Sequence, residues 1–386
     1  MRRALAERLR ALDERGLRRR ALVAAQRSGP EVEVDGRIVV NLSSNDYLGL
    51  ASDPEVAEAH ARAALRLPAG AGAARLVTGT HPEHEALERE LASFVGTERA
   101  LVFGSGYLAN AGVLAALGAQ GGTILSDARN HASIVDGCRL ARAGVRIYRH
   151  IDTDHLDARL SGAAGPRLVV TESVFSMDGD RSPLDRVLDA AARHDAWVYV
   201  DEAHAFGHLG PSGRGLSCDP AVFEGVDVRM GTLGKSLGCA GAFVAGSAEL
   251  VDYLVSTART FLYSTALPPA VAAAARAALE VVRGPRGEEL RLRLARNTRA
   301  LREGLREQGW EVMDVPGPIL PIVVGNARRA VELSARLLER GVLVRAMRYP
   351  TVEEGTERLR MVASAALCDE HVERTLELMG ALREEL

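Results

Sequence analysis

Residues 197–204 are Trp197-Val198-Tyr199-Val200-Asp201-Glu202-Ala203-His204. The first four are apolar without alternation, the pattern of a strand buried on both faces of a parallel sheet. Asp201 ends the run, and in open α/β sheets ligands collect at the carboxyl ends of the strands. Short apolar runs of the same kind recur at Ala100–Phe103, Thr123–Leu125, Arg146–Tyr148, Leu168–Thr171 and Ala242–Val244. Helical spacing at Tyr107–Leu117, Ala132–Arg142 and Leu184–His194 fills the gaps between them. The alternation predicts an α/β fold, a mostly parallel sheet with helices on both faces.

Before this region, an arginine-rich segment predicts a helix over about Ala4–Gln26, followed by strands at Glu31–Val34 and Arg37–Leu42. Asp35-Gly36 between them is a hairpin signal. Ser52-Asp53-Pro54 caps a further helix, and apolar positions recur at helical spacing over Glu83–Phe94. After Arg283-Gly284-Pro285-Arg286-Gly287 the pattern changes to a long charged helix ending near Gly309. Strands at Ile319–Val324 and Leu359–Val362 and helices at Ala327–Arg340 and Asp369–Glu384 follow, giving a smaller α+β domain. The expected divisions are 1–44, an N-terminal arm; 45–282, the large domain; and 283–386, the C-terminal domain.

With 386 residues, 47% of them hydrophobic and 26% charged, the chain has ordinary globular composition. A net charge of −3 gives no electrostatic case for nucleic acid or an anionic membrane. Apolar stretches such as Pro269–Leu279 are too short to span a bilayer. The basic start (Arg2, Arg3, Arg8, Arg10) is interrupted by Glu7, Asp13 and Glu14 and lacks an apolar core, unlike a secretory signal or transit peptide. Cys138, Cys218, Cys239 and Cys368 are scattered, so neither a disulfide set nor a metal site is expected. These features together predict a cytoplasmic protein.

Lys235 sits in the turn Thr232-Leu233-Gly234-Lys235-Ser236-Leu237-Gly238. An isolated acid at a strand end is usually a cap, and an isolated lysine is usually solvated. Asp201, His204 and a later lysine among small residues are instead what pyridoxal 5′-phosphate (PLP) needs: an acid for its ring nitrogen and an amine for its carbonyl. Gly104-Ser105-Gly106-Tyr107 follows a strand and opens a helix, a turn suited to phosphate. Gly104-x-Gly106-x-x-Ala109 with Asp127 about twenty residues on also fits a nicotinamide-dinucleotide fingerprint, which keeps an oxidoreductase as the rival from another class. His131 opens a helix, where a histidine is usually a cap; in a PLP site its ring could stack on the cofactor. Ser176-Met177-Asp178-Gly179-Asp180 lies beyond the strand at Leu168–Thr171, at the same edge of the sheet.

Several longer segments carry a family resemblance. They are Ser43-Ser44-Asn45-Asp46-Tyr47-Leu48-Gly49-Leu50, Arg75-Leu76-Val77-Thr78-Gly79-Thr80 with His84 and Leu87-Glu88, and Thr171 to Asp180. Val200 to His204, Thr232 to Lys235, Tyr263-Ser264-Thr265, and Tyr349-Pro350-Thr351-Val352 with Arg358-Leu359-Arg360 complete the set. Along nearly its whole length the chain resembles the α-oxoamine synthases, PLP enzymes of fold type I, and most of all the member that starts ring assembly in biotin synthesis; that fold type implies a large domain with a mostly parallel sheet of the seven-stranded type.

The resemblance implies roles. Lys235 would carry PLP and later act as base and acid at the substrate Cα; Asp201 would pair with the pyridine nitrogen, His204 with the phenolic oxygen, and His131 would stack on the ring. Gly106, Tyr107, Ser176 and Thr232 match cofactor contacts. Ser264 and Thr265 match a segment that reaches the phosphate of a neighbouring subunit, implying a homodimer with shared sites. Asn45 and Arg360 match positions holding the amino-acid carboxylate, Arg18 and Thr351 positions near the acyl substrate, and His131 would contact the substrate as well as the cofactor. The implied reaction condenses L-alanine with pimeloyl-coenzyme A or pimeloyl-acyl carrier protein, releasing carbon dioxide and the thiol. Relatives using glycine or serine with other acyl groups are alternatives, since one methyl is worth only about 1–3 kcal/mol of discrimination. Ala205-Phe206 and Tyr349 depart from the family pattern near the expected cofactor and acyl entrance, and Leu367 stands where some relatives carry histidine.

Overall fold

The protein is described by a computed structural model covering residues 2–15, 17–19, 21–26 and 29–385. Its packing separates two units, one of residues 50–176 and 180–291, the other of residues 1–49, 177–179 and 292–386.

The larger unit is built on seven strands: β1 (Arg99–Phe103), β2 (Thr123–Asp127), β3 (Gly144–Tyr148), β4 (Arg167–Glu172), β5 (Ala196–Asp201), β6 (Val228–Thr232) and β7 (Ala242–Gly246). Their order across the sheet is β1-β7-β6-β5-β4-β2-β3, and only β7 runs antiparallel to its neighbours. Side chains of a strand alternate between faces. Tyr199 therefore joins one core with Phe103, Val113, Ile134 and Met230, while Val198 and Val200 join another with Leu125, Leu156, Val169 and Val187. Two apolar cores explain why the strand shows no alternation in sequence.

β6 is not among the expected strands because Arg229 interrupts its apolar run. That side chain is 4% exposed, donates to the carbonyls of Val226, Ser217 and Phe223, and lies 4.1 Å over the Phe223 ring. Phe206, expected near the entrance, is buried between Phe94 and Phe243, with ring centroids at 5.9 and 4.8 Å. It belongs to the core.

In the smaller unit, Glu31–Val34 and Arg37–Asn41 form the expected hairpin, with Asp35 (φ 49°) and Gly36 (φ 77°) in the left-handed region that such a turn requires. The helix expected over Ala4–Gln26 runs only from Arg2 to Glu14. Its last turn closes through Leu17 N–H to Leu12 O, and Ala25–Gln26 instead pair as a strand with Val32 and Glu33. Ile319–Val323, Arg358–Val362 and Arg345–Met347 form an antiparallel sheet, with helices at Ala327–Glu339 and Asp369–Glu384. No helix of the described residues is long and apolar enough to cross a membrane.

Candidate active site

Parallel strands bring their carboxyl ends to one sheet edge, so Asp127, Glu172, Asp201 and Thr232 end strands on the same side. Asp201 is 3% exposed. Its Oδ1 accepts the Ala203 N–H at 2.8 Å, and its Oδ2 accepts Asn110 Nδ2 at 2.8 Å. Asn110 comes from α1 (Gly106–Leu117), the helix that Ser105 caps by accepting the Leu108 N–H. The same Nδ2 donates to Ser133 Oγ at 2.9 Å, and the Tyr199 hydroxyl donates to Asn110 Oδ1 at 2.6 Å.

Ser133 belongs to α2 (Ala132–Leu140), and its Oγ lies 2.7 Å from His131 Nδ1. A continuous hydrogen-bonded chain thus links His131 to Asp201. His131 is held through its backbone as well, its N–H donating to Glu172 Oε1 at 2.6 Å. Burial lowers the His131 pKa; Asp201 opposes the shift and Lys235 adds to it, so the ring favours its neutral form. Glu172 is fully enclosed, and burial followed by the Asp201 charge pushes its carboxyl well above the ordinary range.

Lys235 Nζ lies 2.7 Å from His204 Nε2. The lysine turn is tightly built: Thr232 Oγ1 donates to Gly241 O and accepts the Gly234 N–H, and Gly238 N–H donates to Lys235 O. Gly238 has φ 64°, and a Cβ there would stand 2.1 Å from Ala51 N, so only glycine closes this turn. Tyr107 is half exposed, and its hydroxyl donates to Asp136. Ser176 occupies a turn whose stem pairs Val174 with Arg181.

Ser264 and Thr265 are anchored elsewhere in this unit, where Thr265 bridges to Ala74 and the Ala266 N–H donates to Ala73 O. Around them Tyr263, Leu76 and Val77 expose 71%, 54% and 74% of their surface. Of the five expected substrate residues, Arg18, Asn45, Thr351 and Arg360 lie in the smaller unit, and His131 lies in the larger. Arg360 is 4% exposed and donates to Asn45 Oδ1 at 3.1 Å. Tyr47 beside them has its pKa pushed up to about 12 by burial, against the lowering effect of Arg360. Arg18 pairs with Asp13 at 2.7 Å. Thr351 Oγ1 accepts from Arg19 at 2.9 Å, and Arg348 donates to the Arg18 carbonyl. Tyr349 is 43% exposed under the Arg15 guanidinium, and Leu367 is buried.

The larger unit's donor set fits PLP: a buried carboxylate for a ring nitrogen, an amine for a carbonyl, an imidazole for the ring face, and a capped helix N-terminus for a phosphate. A nicotinamide nucleotide fits poorly, because Asp127 is 2% exposed and already accepts from the Arg129 and Ile151 N–H groups and binds His150. Asn110, Ser133, Tyr199 and Glu172 are supporting residues that the motifs left without a role.

The aminotransferase class I and II family model matches residues 37–378. The 8-amino-7-oxononanoate synthase of Anaeromyxobacter dehalogenans (strain 2CP-1) is 51% identical over 98% of this chain and 95% of its own length. That of Geobacter sulfurreducens is 47% identical, over 100% and 99%. A serine palmitoyltransferase variant from S. paucimobilis, solved with a bound PLP–myriocin aldimine, superposes with a TM-score of 0.93 at 31% identity, covering 99% of this chain and 97% of that one. Full-length likeness of this kind, together with the site just described, means that the chain belongs to the aminotransferase class I and II family and, within it, to the PLP-dependent α-oxoamine synthases.

Proposed function

We propose that the protein condenses L-alanine with a pimeloyl thioester, carried by coenzyme A or acyl carrier protein, to give 8-amino-7-oxononanoate, carbon dioxide and free thiol in biotin biosynthesis. The observation that carries this reading is the pairing of Lys235–His204 with the Asp201–Asn110–Ser133–His131 chain at one sheet edge, in a sequence about half identical to enzymes of that name. PLP, when bound, supplies the electron sink that lets an amino-acid Cα lose its proton.

The chain's own residues do the rest. Lys235 holds the cofactor and moves the proton at Cα. Asp201, fixed by two N–H donors, holds the proton on the ring nitrogen. The neutral His131 ring offers a flat face without adding charge. Gly106, Tyr107, Ser176 and Thr232 frame the cofactor and its phosphate. Arg360, aimed by Asn45, suits a carboxylate through charge-assisted hydrogen bonds. Arg18 and Thr351 stand toward the acyl substrate. Ser264 and Thr265 serve the site of a second copy in a homodimer, a reading supported by the exposed Tyr263, Leu76 and Val77 around them. A cytoplasmic setting suits this chemistry.

The test is a mass-spectrometric product assay crossing alanine, glycine and serine with pimeloyl, acetyl, succinyl and palmitoyl thioesters. Alanine with pimeloyl should give the largest kcat/KM. Turnover confined to another pair would overturn the substrate assignment.

A further inference from the structure

Asp127, the acid that the nicotinamide fingerprint singles out, has other work. Its Oδ1 accepts the Arg129 N–H at 2.8 Å and stands 2.8 Å from His150 Nδ1, while Oδ2 accepts the Ile151 N–H at 3.0 Å. The second ring nitrogen of His150, Nε2, is 2.7 Å from Asp180 Oδ2. The Phe175 ring packs edge-on against the imidazole, centroids 4.5 Å apart and planes at 85°. An imidazole between two carboxylates donates from both nitrogens only as a cation; the neutral ring would point a lone pair at one of them.

The charged groups facing the ring are Asp127 from β2 and Asp180 from the opposite turn. Arg149, its neighbour in sequence, is turned to Asp152 at 2.8 Å. Burial alone lowers the His150 pKa, but hydrogen bonds to both carboxylates and their charges outweigh it and raise the value to about 9.

Ile151 has φ 57°, a conformation that is a true outlier for a β-branched residue. Such strain persists only where the surroundings impose it, and it concentrates at functional sites. Here Asp127 imposes it through two adjacent bonds. The far end of the bridge closes the turn carrying Ser176: Phe175 N–H donates to Asp180 O at 3.0 Å, and Ser182 N–H to Ser173 O at 3.2 Å. Asp180 is therefore the return point of the turn, tied through His150 to the end of β2.

We propose that His150 is a positioning residue, an imidazolium clasp between Asp127 and Asp180 that fixes the Ser176 turn in its cofactor-binding shape. This rests on the reading of Ser176 as a cofactor contact. The clasp acts through Ser176 and touches no substrate.

The test titrates full-length apoprotein with PLP, following quenching of Trp197 and Trp310 fluorescence, for wild type, His150→Gln, Ser176→Ala and the double variant. Losing one charge-assisted bond should weaken PLP binding of His150→Gln about tenfold. Ser176→Ala should also bind more weakly, and the double variant should be no weaker than Ser176→Ala alone. Normal binding by His150→Gln with weakened Ser176→Ala, or losses that multiply in the double variant, would overturn the clasp and spare the Ser176 reading. Normal binding by Ser176→Ala would overturn both. An independent check needs no variant: the ¹³Cε1 resonance of His150 in the wild-type apoprotein should titrate near pH 9. A midpoint at the ordinary value of about 6.5 would overturn the proposal.

Discussion

Asn110 Nδ2 donates to Asp201 Oδ2 at 2.8 Å across 91 residues of sequence, and the same nitrogen reaches Ser133 Oγ. One buried amide thus holds two elements of the site, the carboxylate on β5 and, through Ser133, the His131 ring at the N-cap of α2. Replacing Asn110 by Leu should strand the Tyr199 hydroxyl and one Asp201 oxygen. Leaving buried polar groups unpaired costs about 1–3 kcal/mol. The expected outcome is a lower melting temperature of the apoprotein together with a lower kcat and an unchanged KM for alanine. A stability loss with normal kcat would make Asn110 a core residue only.

Asp201→Asn should keep some PLP and lose catalysis, because an amide does not hold a proton on the ring nitrogen. If that interaction supplies about 3–4 kcal/mol at the transition state, kcat falls roughly 10²–10³-fold. Steady-state kinetics on PLP-saturated protein measures it, and near-normal turnover would remove Asp201 from the role.

The parts of this site that were legible in sequence are those concentrated in short motifs. Asp201, His204 and Lys235 announce themselves because chemistry needs those residue types near strand ends. The sheet was legible because strands buried on both faces are continuous apolar runs. β6 was hidden because Arg229 interrupts the run, and only the folded chain supplies the three carbonyls that make its burial tolerable. Asn110 was hidden for a related reason: it is one polar residue in an apolar helix, and its partners come from β5 and α2. The His150 clasp joins residues 127, 150 and 180, a juxtaposition that no local pattern encodes.

The buried His208 and the partly buried His150 should give stability opposite pH dependences. His208 hydrogen-bonds Ser236 Oγ at 3.0 Å and has its pKa pulled down to about 3, chiefly by burial, with the charges of Arg181, Lys235 and Arg291 adding and a Phe206 backbone bond opposing. Its folded value lies below the unfolded one, so its contribution is full above pH about 6.5 and is lost as pH falls toward 3. The raised pKa of His150 does the reverse: its contribution is full below about 6.5 and is lost as pH rises through 9. Each limb is worth on the order of 3–5 kcal/mol at most. Urea midpoints measured against pH should show the acid limb flattened in His208→Gln and the alkaline limb flattened in His150→Gln. Unchanged limbs would mean that these residues do not govern them.

Shared active sites are tested by mixing subunits. Lys235→Ala protein and Ser264→Ala/Thr265→Ala protein, each nearly inactive alone, should regain activity when exchanged if the proposed homodimer shares its sites, because a heterodimer then combines an intact lysine with an intact Ser264–Thr265 segment in one of them. Native mass spectrometry verifies the exchange. Verified heterodimers without recovered activity would mean that each site is built within one chain.

Substrate choice tests the finest part of the reading. Phe206 is enclosed by Phe94 and Phe243, so this departure from the family pattern adds no bulk to an acyl entrance, and Tyr349 is left as the exposed one. Removing its ring, as in Tyr349→Ala, should alter KM for the acyl thioester and leave KM for alanine unchanged. Glycine should turn over more slowly than alanine, because an empty methyl site forfeits about 1–3 kcal/mol. Serine should be poorer still, since its hydroxyl would need a polar partner in an apolar space. In cells, the gene should restore growth without biotin to a strain lacking this condensation, and its Lys235→Ala form should not. Rescue by the Lys235→Ala form would overturn the role of that lysine, whereas failure of both forms, with the protein soluble and PLP-loaded, would point to glycine or serine as the amino acid this site was built to hold.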